Sequence, residues 1–267
     1  MTRREFVMGV GAAAIVGAEL RAAESPVQTG RRAPRRGFQV YAVRDLCAKD
    51  LVGTLRAAKA MGYEGVETGR FYGRSATDWK AICADVGLEL FALQLYPDTL
   101  VGDELKKTIR FCHDCGCGCV NTAWFKGSAE NERDWRLVVN VLNAAAPALQ
   151  REGIRLGYHN HDQEFRIRFG GKTVCEWLFE RFSPLVRQEF DPGWCSAAGE
   201  DPVKWLKEHP GRNPTVHVMP GYGTDWPAVF AELRRQGTEW LVAKPTAHPD
   251  RLDDLRAVRE LEGWPQP

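Results

Sequence analysis

Arg155-Leu156-Gly157-Tyr158-His159-Asn160-His161-Asp162 reads as one short strand, largely apolar until it ends in a group of polar side chains. The pattern recurs along the chain. Strands are expected at 38–43, 65–68, 88–94, 120–124, 155–161, 186–191, 215–218 and 240–243, with helices near 50–61, 77–86, 103–114, 132–152, 173–182, 202–209, 226–236 and 250–261. Asp50, Thr77, Asp201-Pro202, Asp225 and Asp250 supply helix starts. Met61-Gly62, Val86-Gly87, Glu152-Gly153 and Gln236-Gly237 end helices just before the next strand. The strands are mostly apolar rather than alternating, as in a parallel sheet covered by helices. Eight such units in roughly 230 residues predict an α/β fold, a single-domain (β/α)8 barrel over 38–267. A doubly wound open sheet is disfavoured, because Tyr41-Ala42-Val43-Arg44-Asp45 stands where its glycine-rich fingerprint would follow the first strand.

The charge balance of 36 Lys+Arg against 35 Asp+Glu hides two opposite halves. Residues 1–36 carry seven Arg against three Glu, so the rest of the chain is mildly acidic. That acidity argues against a polybasic nucleic-acid surface. Thr2-Arg3-Arg4-Glu5-Phe6-Val7-Met8 and the small apolar run Gly9 to Ala18 read as a twin-arginine export signal over 1–23. Val16-Gly17-Ala18 suits cleavage, with Ala22 and Ala23 as alternatives, and an uncleaved amino-terminal helix is the competing reading. Residues 24–37, with two Arg pairs and two Pro, then form a linker. The expected location is periplasmic or secreted. No uncharged apolar run reaches the length of a membrane span.

In such a barrel the reactive groups gather at the carboxyl ends of the strands. Those ends are Arg44-Asp45, Glu67, Gln94, Trp124, His159 to Asp162, Glu189 and Asp191, His217 and Lys244. His159, Asp191 and His217 come from three successive strands, and two imidazoles with a carboxylate can hold a divalent metal with open positions for substrate oxygens.

Tyr158-His159-Asn160-His161-Asp162, Glu189-Phe190-Asp191-Pro192-Gly193-Trp194 and His217-Val218 together resemble the xylose-isomerase-like sugar phosphate isomerase/epimerase superfamily. Gln39 to Asp45 and Gly62 to Glu67 look like that family's first two strands, so the resemblance spans 38–262. It implies a TIM barrel and enzymes that isomerise, epimerise or dehydrate sugars, inososes and keto acids, many with a divalent metal such as Mn, Zn, Co or Mg. It also implies His159, Asp191 and His217 as metal ligands. The fourth ligand, a Glu in the family, falls on Lys244, whose ammonium would repel a metal. After His217 the chain reads Met219-Pro220-Gly221-Tyr222-Gly223, without the acidic residue that would orient the imidazole.

Three outcomes are open at this stage. A metal could remain on the three ligands while Lys244 acts on substrate. The Lys244 ammonium could replace the metal's charge or the amine could serve as base, with Glu67 or a His such as His161 moving protons. In the last, catalysis is lost and the barrel binds a sugar-like ligand or a partner protein. Trp124 and Trp194 are the expected stacking contacts to an unphosphorylated sugar or polyol, alternatively filling the barrel top as core, and Arg44 is the expected contact to an anionic group. An oligomer is compatible with the sequence, and the endonucleases that share this fold fit poorly with export and an acidic barrel.

Two local motifs complete the reading. Cys112-His113-Asp114-Cys115-Gly116-Cys117-Gly118-Cys119 could form a metal knuckle, a Cys112–Cys115 or Cys115–Cys117 disulfide, or a tightly packed turn at the barrel's far end; the turn is preferred because no distant Cys pair completes a zinc site. Gly170-Gly171-Lys172-Thr173 lacks the full phosphate-loop spacing and reads as a turn and helix cap. His113, His209 and His248 carry no assigned chemistry.

Overall fold

Eight parallel strands close into a barrel in the computed structural model, which describes residues 33–123, 128–246 and 251–266. They are β1 (Arg35–Gln39), β2 (Gly65–Thr68), β3 (Glu89–Leu95), β4 (Cys119–Thr122), β5 (Arg155–His159), β6 (Val186–Phe190), β7 (Thr215–Val218) and β8 (Trp240–Ala243). Each pairs with its sequence neighbours, and β1 closes the ring against β8 in the register Phe38 to Ala243. Helices cover the outside, the longest being Glu132–Arg151, whose Trp135, Val138, Leu142 and Leu149 are buried. Twin-arginine motif, cleavage site and most of the proposed linker lie outside the described residues, as do Trp124 and His248.

The structure shifts several boundaries for local reasons. β1 begins at Arg35, inside the expected linker, because both arginines there are used: the Arg35 guanidinium lies 4.0 Å from the Trp240 ring centroid, and Arg36 Nε donates to Glu64 Oε2 at 3.0 Å. β1 also stops at Gln39, and the chain winds into a 3-10 turn (Val40–Val43) and the helix Arg44–Lys49. The helix expected at Thr77 is capped instead by Ser75, reciprocally with Asp78. Gly170 and Gly171 turn a two-residue ribbon, Arg168–Phe169 with Lys172–Thr173, and Thr173 caps the helix Val174–Phe179. The cysteine run is a turn, as preferred. Cys112, Cys115, Cys117 and Cys119 are buried free thiols, and Cys117 N donates to Cys112 O across the Gly116 cap.

The floor of the barrel explains two glycines. Phe91 and Trp240 stack with centroids 4.1 Å apart and planes 12° from parallel. A Cβ on Gly37 would stand 2.7 Å from the Phe91 ring, and one on Gly65 2.6 Å from the Trp240 ring. Only glycine lets β1 and β2 pass beside this plug. Gly65→Ala is therefore expected to destabilise the protein by about 1–3 kcal/mol through overpacking. Urea denaturation measures this, and an unchanged midpoint would show that the plug yields freely.

Candidate active site

Above that floor the barrel interior turns polar. Glu67 of β2, Asn121 of β4 and Glu189 of β6 meet in the centre, where Asn121 Nδ2 donates to Glu67 Oε1 at 3.1 Å and to Glu189 Oε1 at 2.6 Å. Gln94 Nε2 donates to Glu189 Oε2, and Gln39 Nε2 donates to Gln94 Oε1, so the network runs across to β1. His217 Nε2 completes it, 2.8 Å from Glu67 Oε2 and 3.3 Å from Glu189 Oε2. All three ionisable side chains are fully buried.

Burial opposes a charged His217, but the carboxylates of Glu189 and Glu67 outweigh it and hold the imidazolium up to about 9. Burial, with the Glu67 charge next, pushes Glu189 up to about 7. Burial also works against ionised Glu67, yet its bond to His217 holds it below the usual carboxylate range. The imidazolium and the Glu67 carboxylate thus pair through His217 Nε2. The consequence is orientation: Nε2 carries hydrogen toward the carboxylates, and Nδ1 points the other way.

On that other side stand His159 and Asp191. Donor atoms of His159, Asp191 and His217 all lie within 4.8 Å of one another. Asp191 is fixed from several directions: its Oδ1 accepts from Trp194 N at the start of the helix Pro192–Ala197, and its backbone N donates to Asn160 Oδ1 at 3.0 Å. Neither ring nitrogen of His159 has a hydrogen-bond partner, although both are buried, and His217 Nδ1 is likewise unpartnered. Burial, reinforced by His217, Lys244 and His161 nearby, keeps the His159 ring well below its ordinary value and hence neutral. Orphaned buried nitrogens are costly, and a neutral imidazole facing a carboxylate is the donor chemistry a divalent cation takes. Glu67, Glu189 and His217 form a second group of similar span, but hydrogen bonds from Asn121, Gln94 and His217 already occupy its carboxylates.

Lys244 reaches this place from the end of β8. Its Nζ lies 3.5 Å from Asp191 Oδ2 and 5.4 Å from the Trp194 ring centroid. His161 sits beside it at the rim, its ring centroid 4.8 Å from that of His159 and 6.1 Å from Trp194. Because β5 ends at His159, His161 belongs to the following loop, held by Glu164, whose Oε2 accepts from His161 N and whose Oε1 accepts from Tyr158 OH. Burial, then the cations of Lys244 and His217, keep the His161 ring well below its usual value.

The expected residues therefore gather with two changes. Glu67 lies beneath His217, completely buried, with its Oε2 2.8 Å from that ring's Nε2. Arg44 stacks on Tyr41 at 4.5 Å and donates to the Tyr41 carbonyl, while Arg70 lines the adjoining cleft of about 330 Å3 with Gln39, Tyr41, Gln94 and Tyr96. Asn121, Gln39 and Arg70 were not singled out from the sequence, and Glu189 was read there as a strand end without a role of its own. Glu189 had a signal: it stands two residues before Asp191, on the same side of a strand. The acidic residue missing after His217 is replaced in space by Glu67 and Glu189.

This arrangement has relatives. The sequence pattern of the xylose isomerase-like TIM barrel matches residues 55–262. The chain belongs to this family. An inosose dehydratase of Geobacillus kaustophilus is 27% identical over 187 residues, 59% of this chain. The match spans 58% of that enzyme's length. A sugar phosphate isomerase/epimerase from Parabacteroides distasonis superposes with a TM-score of 0.74 at 21% identity, covering 87% of this chain and 100% of that one. The 3-keto-D-glucoside 4-epimerase of E. coli gives 0.65 at 15% identity, with 85% and 100% covered. At such identities the two structures establish the shared barrel.

Glu67→Gln removes one of the two carboxylates that raise His217. The folded imidazolium, near 9, lies above its ordinary 6.5, so the stability it confers is complete below about pH 6.5 and fades as pH rises through 9. In metal-free Glu67→Gln the His217 titration should move downward, as read by NMR of the imidazole nitrogens, and the fading should be complete at a lower pH. An unmoved titration would contradict the assignment of Glu67 as the partner of Nε2.

Proposed function

We propose that this barrel is an isomerase or epimerase of sugars or keto-sugars, with lyase chemistry as a variant of the same proton transfer. The observation that carries the reading is the set of unpartnered nitrogens on buried His159 and His217, facing Asp191 at the carboxyl end of the barrel. His159, Asp191 and His217, the last on loss of its Nδ1 proton, would hold a divalent cation, which when bound polarises a substrate carbonyl or hydroxyl oxygen. The remaining chemistry belongs to the chain. His161, kept neutral at the rim, is placed to take a proton from the carbon beside that oxygen and return it. The Lys244 ammonium favours negative charge as it develops on the oxygen. Trp194 offers a flat apolar face beside both, suited to a sugar ring. The amino-terminal signal reading adds that the reaction runs outside the cytoplasm. No helix among the described residues is long and apolar enough to cross a membrane.

A second reading is favoured by the Lys244–Asp191 contact itself. Two unit charges 4 Å apart interact by about 4 kcal/mol at an effective dielectric of 20, and a divalent ion doubles that repulsion. Lys244 then stands in for the cation, and the imidazoles and Asp191 bind and orient the substrate.

Both readings predict exchange of a substrate C–H hydrogen with solvent. Wild-type protein, with and without added Mn2+, is incubated in D2O with D-fructose, 3-keto-D-glucose and an inosose, and deuterium uptake at carbon is followed by NMR. Uptake should fall about 100-fold or more in His161→Gln, the usual size of a general-base contribution. No uptake from any of the three, nor from the anionic keto-sugar D-fructuronate, would identify a binding barrel without catalysis.

A further inference from the structure

The cleft beside the site has a polarity that the proposed proton transfer does not use. Its walls at β1 and β3 include Gln39 and Gln94, whose side chains also join the buried Glu67–His217–Glu189 network, so it lies beside the candidate site at the carboxyl end of the barrel. Its outer lip is Tyr41, Arg70 and Tyr96, and the two tyrosines are 48% and 57% exposed. Arg70 forms no ion pair among the described residues, and its guanidinium lies 5.5 Å from the Tyr41 ring centroid.

The backbone under Arg70 is held firmly. Thr68 Oγ1 accepts from Arg70 N at 3.1 Å and donates to Arg70 O at 2.8 Å. Gly69 passes so close to β3 that a Cβ there would lie 2.2 Å from the Gln94 carbonyl oxygen. A charged fork on a fixed turn, steadied by an aromatic face and left without a carboxylate of its own, is what recognition of an anionic group requires. The cleft's volume of about 330 Å3 falls in the range of small-molecule sites and leaves room for a hexose-sized ligand.

We infer that the substrate carries an anionic group, bound by Arg70 at the lip while its hydroxyls meet Gln39 and Gln94 and its reacting carbon faces His161 and Lys244. This rests on the proposed function for the place of the reacting end, and it names the substrate class as sugar acids or their phosphorylated equivalents. A carboxylate and a phosphate present the same chemistry to a guanidinium.

Equilibrium binding tests it without turnover. Isothermal titration of wild type, Arg70→Gln and Arg70→Lys uses D-glucose, D-glucuronate and D-glucose 6-phosphate. Wild type should bind at least one of the anions about tenfold or more tighter than glucose, the tighter of the two identifying carboxylate or phosphate as the group read. Arg70→Gln should erase that preference while leaving glucose affinity and the melting temperature unchanged, and Arg70→Lys should keep part of it. Equal affinity for all three ligands, binding of none, or a preference that survives Arg70→Gln would overturn the inference. Because these readouts need no catalysis, anion selectivity without deuterium uptake would sink the enzymatic reading alone.

Discussion

One buried imidazole organises this barrel. His217 is tied through Nε2 to two carboxylates in the barrel centre, and that bond turns Nδ1 toward His159 and Asp191. Burying Glu67 and Glu189 together is expensive unless they share a proton or meet a cation. The imidazolium supplies both, with Asn121 and Gln94 satisfying the remaining oxygens. The polar middle of the barrel and the open donor set above it are therefore two sides of one interaction. The aromatic plug below matters for the same reason, because it closes the floor beneath the buried carboxylates.

Much of this was legible in the chain. The strands at 65–68, 215–218 and 240–243 stand where apolar runs bounded by helix ends placed them, and His159, Asp191 and His217 do converge. β1 was displaced because Arg35 and Arg36 read as linker, whereas an arginine can stack on Trp240 or pair with Glu64 and still enter a strand. Asn121 escaped notice because only strand ends were searched and it lies one step lower, and Glu189 was read as a strand end beside Asp191 without its link to His217. The sequence also suggested that His217 lacked an acidic partner. That partner comes from strands distant in the chain, which no local motif reveals.

Lys244 sets the electrostatic balance of the upper site. Its position at the end of β8, against Asp191, puts a positive charge where the resemblance called for a carboxylate. The three donors above the network can welcome a cation, and Lys244 opposes it through Asp191. Relieving that opposition should strengthen cation binding at this place and nowhere else.

A Mn2+ titration against a competing chelator, on wild type and on Lys244→Glu, probes that claim directly. The account predicts one ion per chain in each, held at least tenfold more tightly by Lys244→Glu, and lost from both when Asp191→Asn is added. Equal affinity whichever residue stands at 244, or an ion that survives Asp191→Asn, would contradict it.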